Sequence, residues 1–248
     1  MQGTIVDVKT ADGVADAYLT RPDGEGEYPG VLFVIDAFGL RPRIQEMADR
    51  IAGQGYVVLA PNALYRAGRA PVLPMPDFTD PDNRAGFMQS VRPIIELLTP
   101  DAISRDGEAY LDFLSTTATG PVGITGYCMG ARVGWRIAAA YPDRVSALGG
   151  FHGGGLVTDA PNSPHRSAGQ LKAEVYFGHA DQDANMNPEQ IGTLNDALDK
   201  AGVRHRAEVY EGALHGYTMS DTAVYNEAAC ERHFTELFAL LDRTLGSH

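Results

Sequence analysis

Cysteine is scarce in this chain: only Cys128 and Cys230 occur among 248 residues. A disulfide framework is therefore not expected, and a zinc site built on thiolates is excluded by count. No CxxC pair exists. Long apolar runs are also missing, since none approaches the roughly 20 residues that span a bilayer. The opening residues, MQGTIVDVKTADG, have neither a basic n-region nor an apolar h-region, so a cytoplasmic location is expected. That reducing setting spares a free thiol from oxidation. Basic blocks are absent as well. With 20 Lys and Arg against 32 Asp and Glu, the formal net charge is −12, which opposes nucleic-acid and anionic-membrane partners. There is no internal repeat and no low-complexity segment, and neither a cofactor nor a metal is expected.

What is present suits one α/β domain over residues 1–248, because 44% hydrophobic residues suffice for a large core. Residues 6–9 and 14–21 alternate apolar and polar side chains around Ala11-Asp12-Gly13, predicting an antiparallel hairpin at a sheet edge. After residues 24–29 the pattern changes to continuously apolar runs at 30–35, 57–60, 122–125, 147–151 and 175–177. Such runs fit central strands of a mostly parallel sheet with helices on both faces. Helices are predicted at 43–54, 102–115, 131–141, 188–201 and 225–245. Each would be a crossover between buried strands. The long stretch 62–99, rich in Pro, Asp and Arg, is predicted to carry a further short helix within 84–98.

The segment Gly126-Tyr127-Cys128-Met129-Gly130 lies between an apolar strand and a helical run. It reads as a nucleophile elbow with a thiol at the apex, the flanking glycines leaving room for the tight turn. In an open parallel sheet, ligands collect at the carboxyl ends of strands. There the chain also places Asp36, His152, Asp181 and His215. The order Cys128, Asp181, His215 is that of α/β-hydrolases. His215 would take and return the proton, and Asp181 would orient the imidazole. Asp183 could serve instead, but Asp181 lies closer to the strand end and is preferred. A thiol at a helix start beside a histidine can have its pKa lowered from about 8.5 to roughly 3.5–7.5. The oxyanion hole would use the backbone N–H groups of Met129 and Ala37. His152 and Tyr127 are read as pocket residues, His179 and His165 as loop residues, and Cys230 as core.

With GYCMG, VIDAFGL at 34–40, GHAD at 178–181 and LHGY at 214–217, the sequence resembles the dienelactone hydrolase family over nearly its whole length. The resemblance implies an α/β-hydrolase fold without a large cap domain and a Cys, Asp, His triad matching Cys128, Asp181 and His215. It implies hydrolysis of an ester or lactone through a thioester-like acyl-enzyme. It also implies that Asp36, standing where dienelactone-cleaving members carry a glutamate, tunes the resting thiol. Those members clamp a substrate carboxylate with two arginines. Arg84 lies in the region of the first, whereas Thr218 and Met219 follow the histidine where the second would stand.

The expected function is therefore hydrolysis of a small ester or lactone, with relaxed activity on small esters, by a monomer or homodimer. A non-catalytic binder of small ligands on the same fold is one alternative, and a thiol redox protein is another. Against the second, Cys230 sits on a distant helix with no reason to act as resolving partner. A serine hydrolase is not expected, because neither Ser146 nor Ser220 occupies an elbow.

Overall fold

A computed structural model describes residues 3–24 and 26–246. Met1, Gln2, Glu25, Ser247 and His248 lie outside the described residues, and with them the extreme ends of the expected 1–248 domain and one position of the 24–29 stretch. Alternating side chains form the hairpin of β1 (Thr4–Thr10) and β2 (Gly13–Thr20), paired antiparallel around the Gly13 turn. The apolar runs become β3 (Pro29–Val34), β4 (Val57–Pro61), β5 (Thr119–Tyr127), β6 (Val145–Phe151) and β7 (Glu174–Ala180), with β8 (His205–Tyr210) at the far edge. All residues of β3 and β4 are buried, as strands covered on both faces require.

The eight strands form one sheet in the order β1-β2-β4-β3-β5-β6-β7-β8. β2 pairs antiparallel with β4, and every pair from β4 through to β8 is parallel. The chain passes from β3 to β4 on one side and then crosses back from β4 to β5 on the other side of β3. Adjacent strands β3 and β5 thus open a crevice at their carboxyl ends, the place where open sheets bind ligands.

Six α-helices are found among the described residues: α1 (Pro42–Ala52), α2 (Pro81–Ile95), α3 (Pro100–Ser115), α4 (Met129–Ala140), α5 (Pro188–Lys200) and α6 (Glu227–Leu245). Their starts carry chemical signals. Asp80, Thr99, Asn187 and Asn226 each accept a bond from a first-turn amide, and Pro42, Pro81, Pro100 and Pro188 open their helices. Proline at the first position has its φ preset and loses no hydrogen bond. This is why α1, α2 and α3 begin before the first buried residue that periodicity detects. The β6 to β7 connection holds a 3-10 helix, Pro164–Gln170, rather than an α-helix.

Successive residues of β6 show both coverings. A side chain at Gly149 would meet Leu237 of α6, and one at Gly150 would meet Ala131 of α4. The small residues of β6 let both helices approach closely. No helix among the described residues is long and apolar enough to cross a membrane.

Candidate active site

The turn after β5 concentrates strain on one residue. Cys128 takes φ 54° and ψ −117° and occupies the N-cap position of α4. Such a conformation costs a non-glycine residue about 1–3 kcal/mol and persists only where the surroundings enforce it. Neither Gly126 nor Gly130 has a positive φ; what each supplies is space. A Cβ on Gly126 would lie 2.3 Å from the Gly130 carbonyl oxygen, and one on Gly130 would lie 2.3 Å from that of Val34. The Cys128 backbone is tied on both sides, its N–H donating to Phe151 O and its carbonyl accepting from the Gly154 amide. The thiol is lifted above the crevice.

His215, on the loop between β8 and α6, presents Nε2 3.1 Å from Cys128 Sγ. Its Nδ1 lies 2.6 Å from Asp183 Oδ2. The acid beside the histidine is therefore Asp183 and not Asp181. Asp181 instead accepts the Gly212 amide at 3.0 Å, while its own N–H donates to Ala213 O. The cause is strand geometry. β7 runs on to Ala180 in register with Tyr210, so Asp181 leaves the strand still engaged with the turn beyond β8. Gln182 then takes φ 52°, and this bend returns Asp183 toward the histidine. The Asn185 backbone N–H and side-chain amide hold Asp183 Oδ1 at 2.8 and 2.9 Å.

The charges reinforce one another. Burial pushes the Cys128 thiol up, but the charge and hydrogen bond of His215 outweigh it, with help from the Met129 N–H, and the thiol lies below its ordinary value. Burial pushes His215 down; the thiolate and the Asp183 bond lift it well above the usual imidazole range. Asp183 is lowered despite burial, because it bonds His215. A half-buried cysteine and histidine so arranged favour the thiolate–imidazolium form.

The other expected site residues divide. A cavity of about 260 Å³ above the thiol is bounded by Asp36, Ala37, Phe38, Arg84, Met88, Cys128, His152, Asn185, His215, Gly216, Met219, Thr222 and Val224. Asp36, Ala37, Arg84 and His152 are thus brought together around Cys128, with Met129 starting the adjoining helix. Arg84 donates to the His215 carbonyl at 3.3 Å and lies over the Phe38 ring. His152 is fully buried, bonded through Nε2 to Thr218 Oγ1 at 2.8 Å, and burial keeps it neutral.

Asp36 makes no hydrogen bond to the thiol. Its two oxygens accept Arg41 Nη1 and Nη2 at 2.7 and 3.0 Å, and Oδ1 also accepts the Phe38 amide. Its influence on Cys128 is by charge alone, which raises the thiol. Tyr127 is not a pocket residue. Side chains alternate along β5, and Tyr127 points away from the cavity, with its hydroxyl on His233 Nε2 of α6 at 2.8 Å and its ring stacked on Phe33 and Phe151. His179 lies within β7, buried, and His165 in the 3-10 helix, so neither is in an open loop. Cys230 is buried in α6. Arg41 and Asn185 escaped the reading of the sequence, although Arg41 stands only five residues after Asp36. Among the described residues no cluster of three His, Cys, Asp or Glu could hold a metal.

The sequence profile of the Dienelactone hydrolase family matches residues 15–245. A relative from Synechocystis sp. (strain ATCC 27184 / PCC 6803 / Kazusa), named "Putative carboxymethylenebutenolidase", is 28% identical over 237 residues, covering 92% of each chain. The crystal structure titled "Putative Dienelactone Hydrolase" from Klebsiella pneumoniae superposes with TM-score 0.84 at 21% identity, over 98% of both chains. The carboxylesterase Cest-2923 of Lactobacillus plantarum does so with TM-score 0.70 at 13% identity, again over 98% of both. These two structures share the α/β-hydrolase fold. With the profile spanning both the elbow and the histidine loop, the chain belongs to the dienelactone hydrolase family and is a hydrolase of the carboxylic ester and lactone class.

Proposed function

We propose that this chain cleaves small esters or lactones by nucleophilic attack of the Cys128 thiolate, with a covalent acyl-enzyme. The observation that carries the reading is His215, within 3.1 Å of Sγ through Nε2 and held through Nδ1 by Asp183. The thiolate adds to the carbonyl carbon, a C–S bond forms, and the carbonyl electron pair moves onto oxygen. That oxyanion meets the Met129 and Ala37 N–H groups, each such donor being worth about 3 kcal/mol. Collapse breaks the ester C–O bond while the His215 imidazolium protonates the departing alkoxide. Water then attacks the thioester, His215 accepts its proton, and the thiolate leaves with the imidazolium restored. The acid product departs as a carboxylate after releasing its own proton to water. Asp183 keeps Nε2 aimed at sulfur and stabilises the imidazolium.

The cavity limits the substrate. Its volume of about 260 Å³ suits a short acyl group, and Phe38, Met88, Met219 and Val224 make much of its wall apolar. Arg84 is the one arginine among the described lining residues, and Met219 stands where a second arginine would complete a carboxylate clamp. The reading is a short-chain ester or simple lactone ahead of a dienelactone, although the carboxymethylenebutenolidase name of the relatives makes dienelactone a fair member of the test panel. A monomeric or homodimeric enzyme of the cytoplasm, where the thiol stays reduced, completes the proposal.

The test is a panel of short-chain esters, lactones and dienelactones assayed on wild type and Cys128→Ala. Turnover of short esters and lactones that Cys128→Ala abolishes supports the reading. Equal turnover by both proteins, or none by either, refutes it.

A further inference from the structure

Asp36 poses an electrostatic problem. It is 3% exposed on the wall of the cavity that holds the thiol, and a buried carboxylate beside a thiolate should repel it. The answer lies in Arg41, 5% exposed at the start of α1. All five of its N–H groups are taken. Nη1 donates to Asp36 Oδ1 and to Gly39 O, Nη2 to Asp36 Oδ2 and Asp221 Oδ1, and Nε to Asp221 Oδ2. The guanidinium fork thus grips Asp36 in a bidentate pair, the geometry arginine provides and lysine does not. The same side chain joins two loops, because Asp221 follows His215 and residues 36–41 carry the Ala37 amide.

We propose that Arg41 is a positioning residue that weakens the repulsion of Asp36 on Cys128, so that the thiolate forms in the resting protein without any rearrangement of Asp36. The inference rests on Cys128 being the nucleophile. The groups facing the thiol from each packed element are Asp36 after β3, Arg84 on α2, Arg132 on α4, His152 after β6, and His215 with Asp183 behind it. Of these only Asp36 and Asp183 are acidic. Asp183 is matched by His215, and Arg41, shared with Asp221, partly offsets Asp36.

The carboxylate and its partner must then act on the thiol in opposite directions. Removing the guanidinium exposes the thiol to the full charge of Asp36, whereas removing the carboxylate takes that repulsion away and leaves Arg41 paired with Asp221. A purely structural clamp would disturb the site in the same way whichever partner was lost. The two outcomes are separable without measuring hydrolysis.

The experiment is the pH dependence of iodoacetamide alkylation at Cys128, followed by peptide mass spectrometry on folded protein. Arg41→Met should raise the midpoint by about one pH unit or more. Asp36→Asn should lower it, and Arg41→Met with Asp36→Asn should return it toward wild type. Midpoints moving in the same direction in the two single variants, or no reversal in the double variant, overturn the proposal. If Arg41→Met does not fold, Asp36→Asn decides alone: a lower midpoint supports the proposal, and an unchanged or higher one overturns it. A wild-type midpoint at or above that of an ordinary thiol would instead contradict the nucleophile reading itself.

Discussion

His215 Nδ1 and Asp183 Oδ2 stand 2.6 Å apart, with Asp183 almost wholly buried and its other oxygen held by two N–H groups of Asn185. Asp181, two residues earlier, is turned onto the Gly212 amide. The first carboxylate can orient an imidazole and stabilise its charged form; the second closes a turn. Their side chains are chemically identical, so their environments alone divide the roles.

Substitution separates them. Asp183→Asn should lower kcat for ester hydrolysis by at least about a hundredfold, with the protein still folded. Asp181→Ala should leave kcat within a few-fold and cost about 1 kcal/mol of stability, the net worth of one hydrogen bond. Steady-state kinetics and denaturant melts of both variants check this. The reverse ranking would return the acid role to Asp181.

The opposed shifts of Cys128 and His215 predict a broad plateau in kcat/KM. Below the lowered thiol midpoint the pair gains a proton and the nucleophile is lost; above the raised imidazole midpoint the acid that protonates the leaving group is lost. The acid limb should therefore lie below the ordinary thiol value of about 8.5, and the alkaline limb above the ordinary imidazole value of about 6.5. A profile that rises only around pH 8.5 would show an unperturbed thiol.

At the elbow the constraint is volume. Gly126→Ala and Gly130→Ala each drive a methyl against a backbone carbonyl at 2.3 Å, and backbone cannot rotate aside as a side chain can. Each should cost about 3 kcal/mol or more, the upper end for overpacking. Thermal denaturation of the two variants tests it, and a loss under about 1 kcal/mol would mean that the turn relaxes.

Buried histidines should weaken the fold in acid. Burial lowers His179 from the ordinary 6.5 to about 4 and His233 to about 3. The unfolded chain takes up these protons near pH 6.5 while the folded one refuses them, so folding stability falls as pH drops from about 6.5 toward 4. Urea melts across that range should show it. His233→Gln should flatten the slope.

Much of this was legible in the chain. Continuous apolar runs mark buried strands because parallel strands covered on both faces have no polar side. The glycines of GYCMG mark the elbow because only their absence of side chain admits the turn. What was hidden depends on long-range geometry. The choice between Asp181 and Asp183 turns on how far β7 stays in register with β8 and on the bend at Gln182. Tyr127 faces α6 rather than the cavity because of the pleat phase of β5, which an apolar run does not disclose. The Arg41 clamp joins residues 180 apart in sequence, and no local pattern signals such a pair.

In the proposed reaction, sulfur at the elbow carries the acyl group. Mass spectrometry of the protein quenched during turnover of an activated short-chain ester measures this most directly. A mass increase equal to the acyl group, located on the peptide containing Cys128 and absent from Cys128→Ala, is the predicted result. Steady hydrolysis with no adduct on Cys128, continuing unchanged in Cys128→Ala, would contradict it.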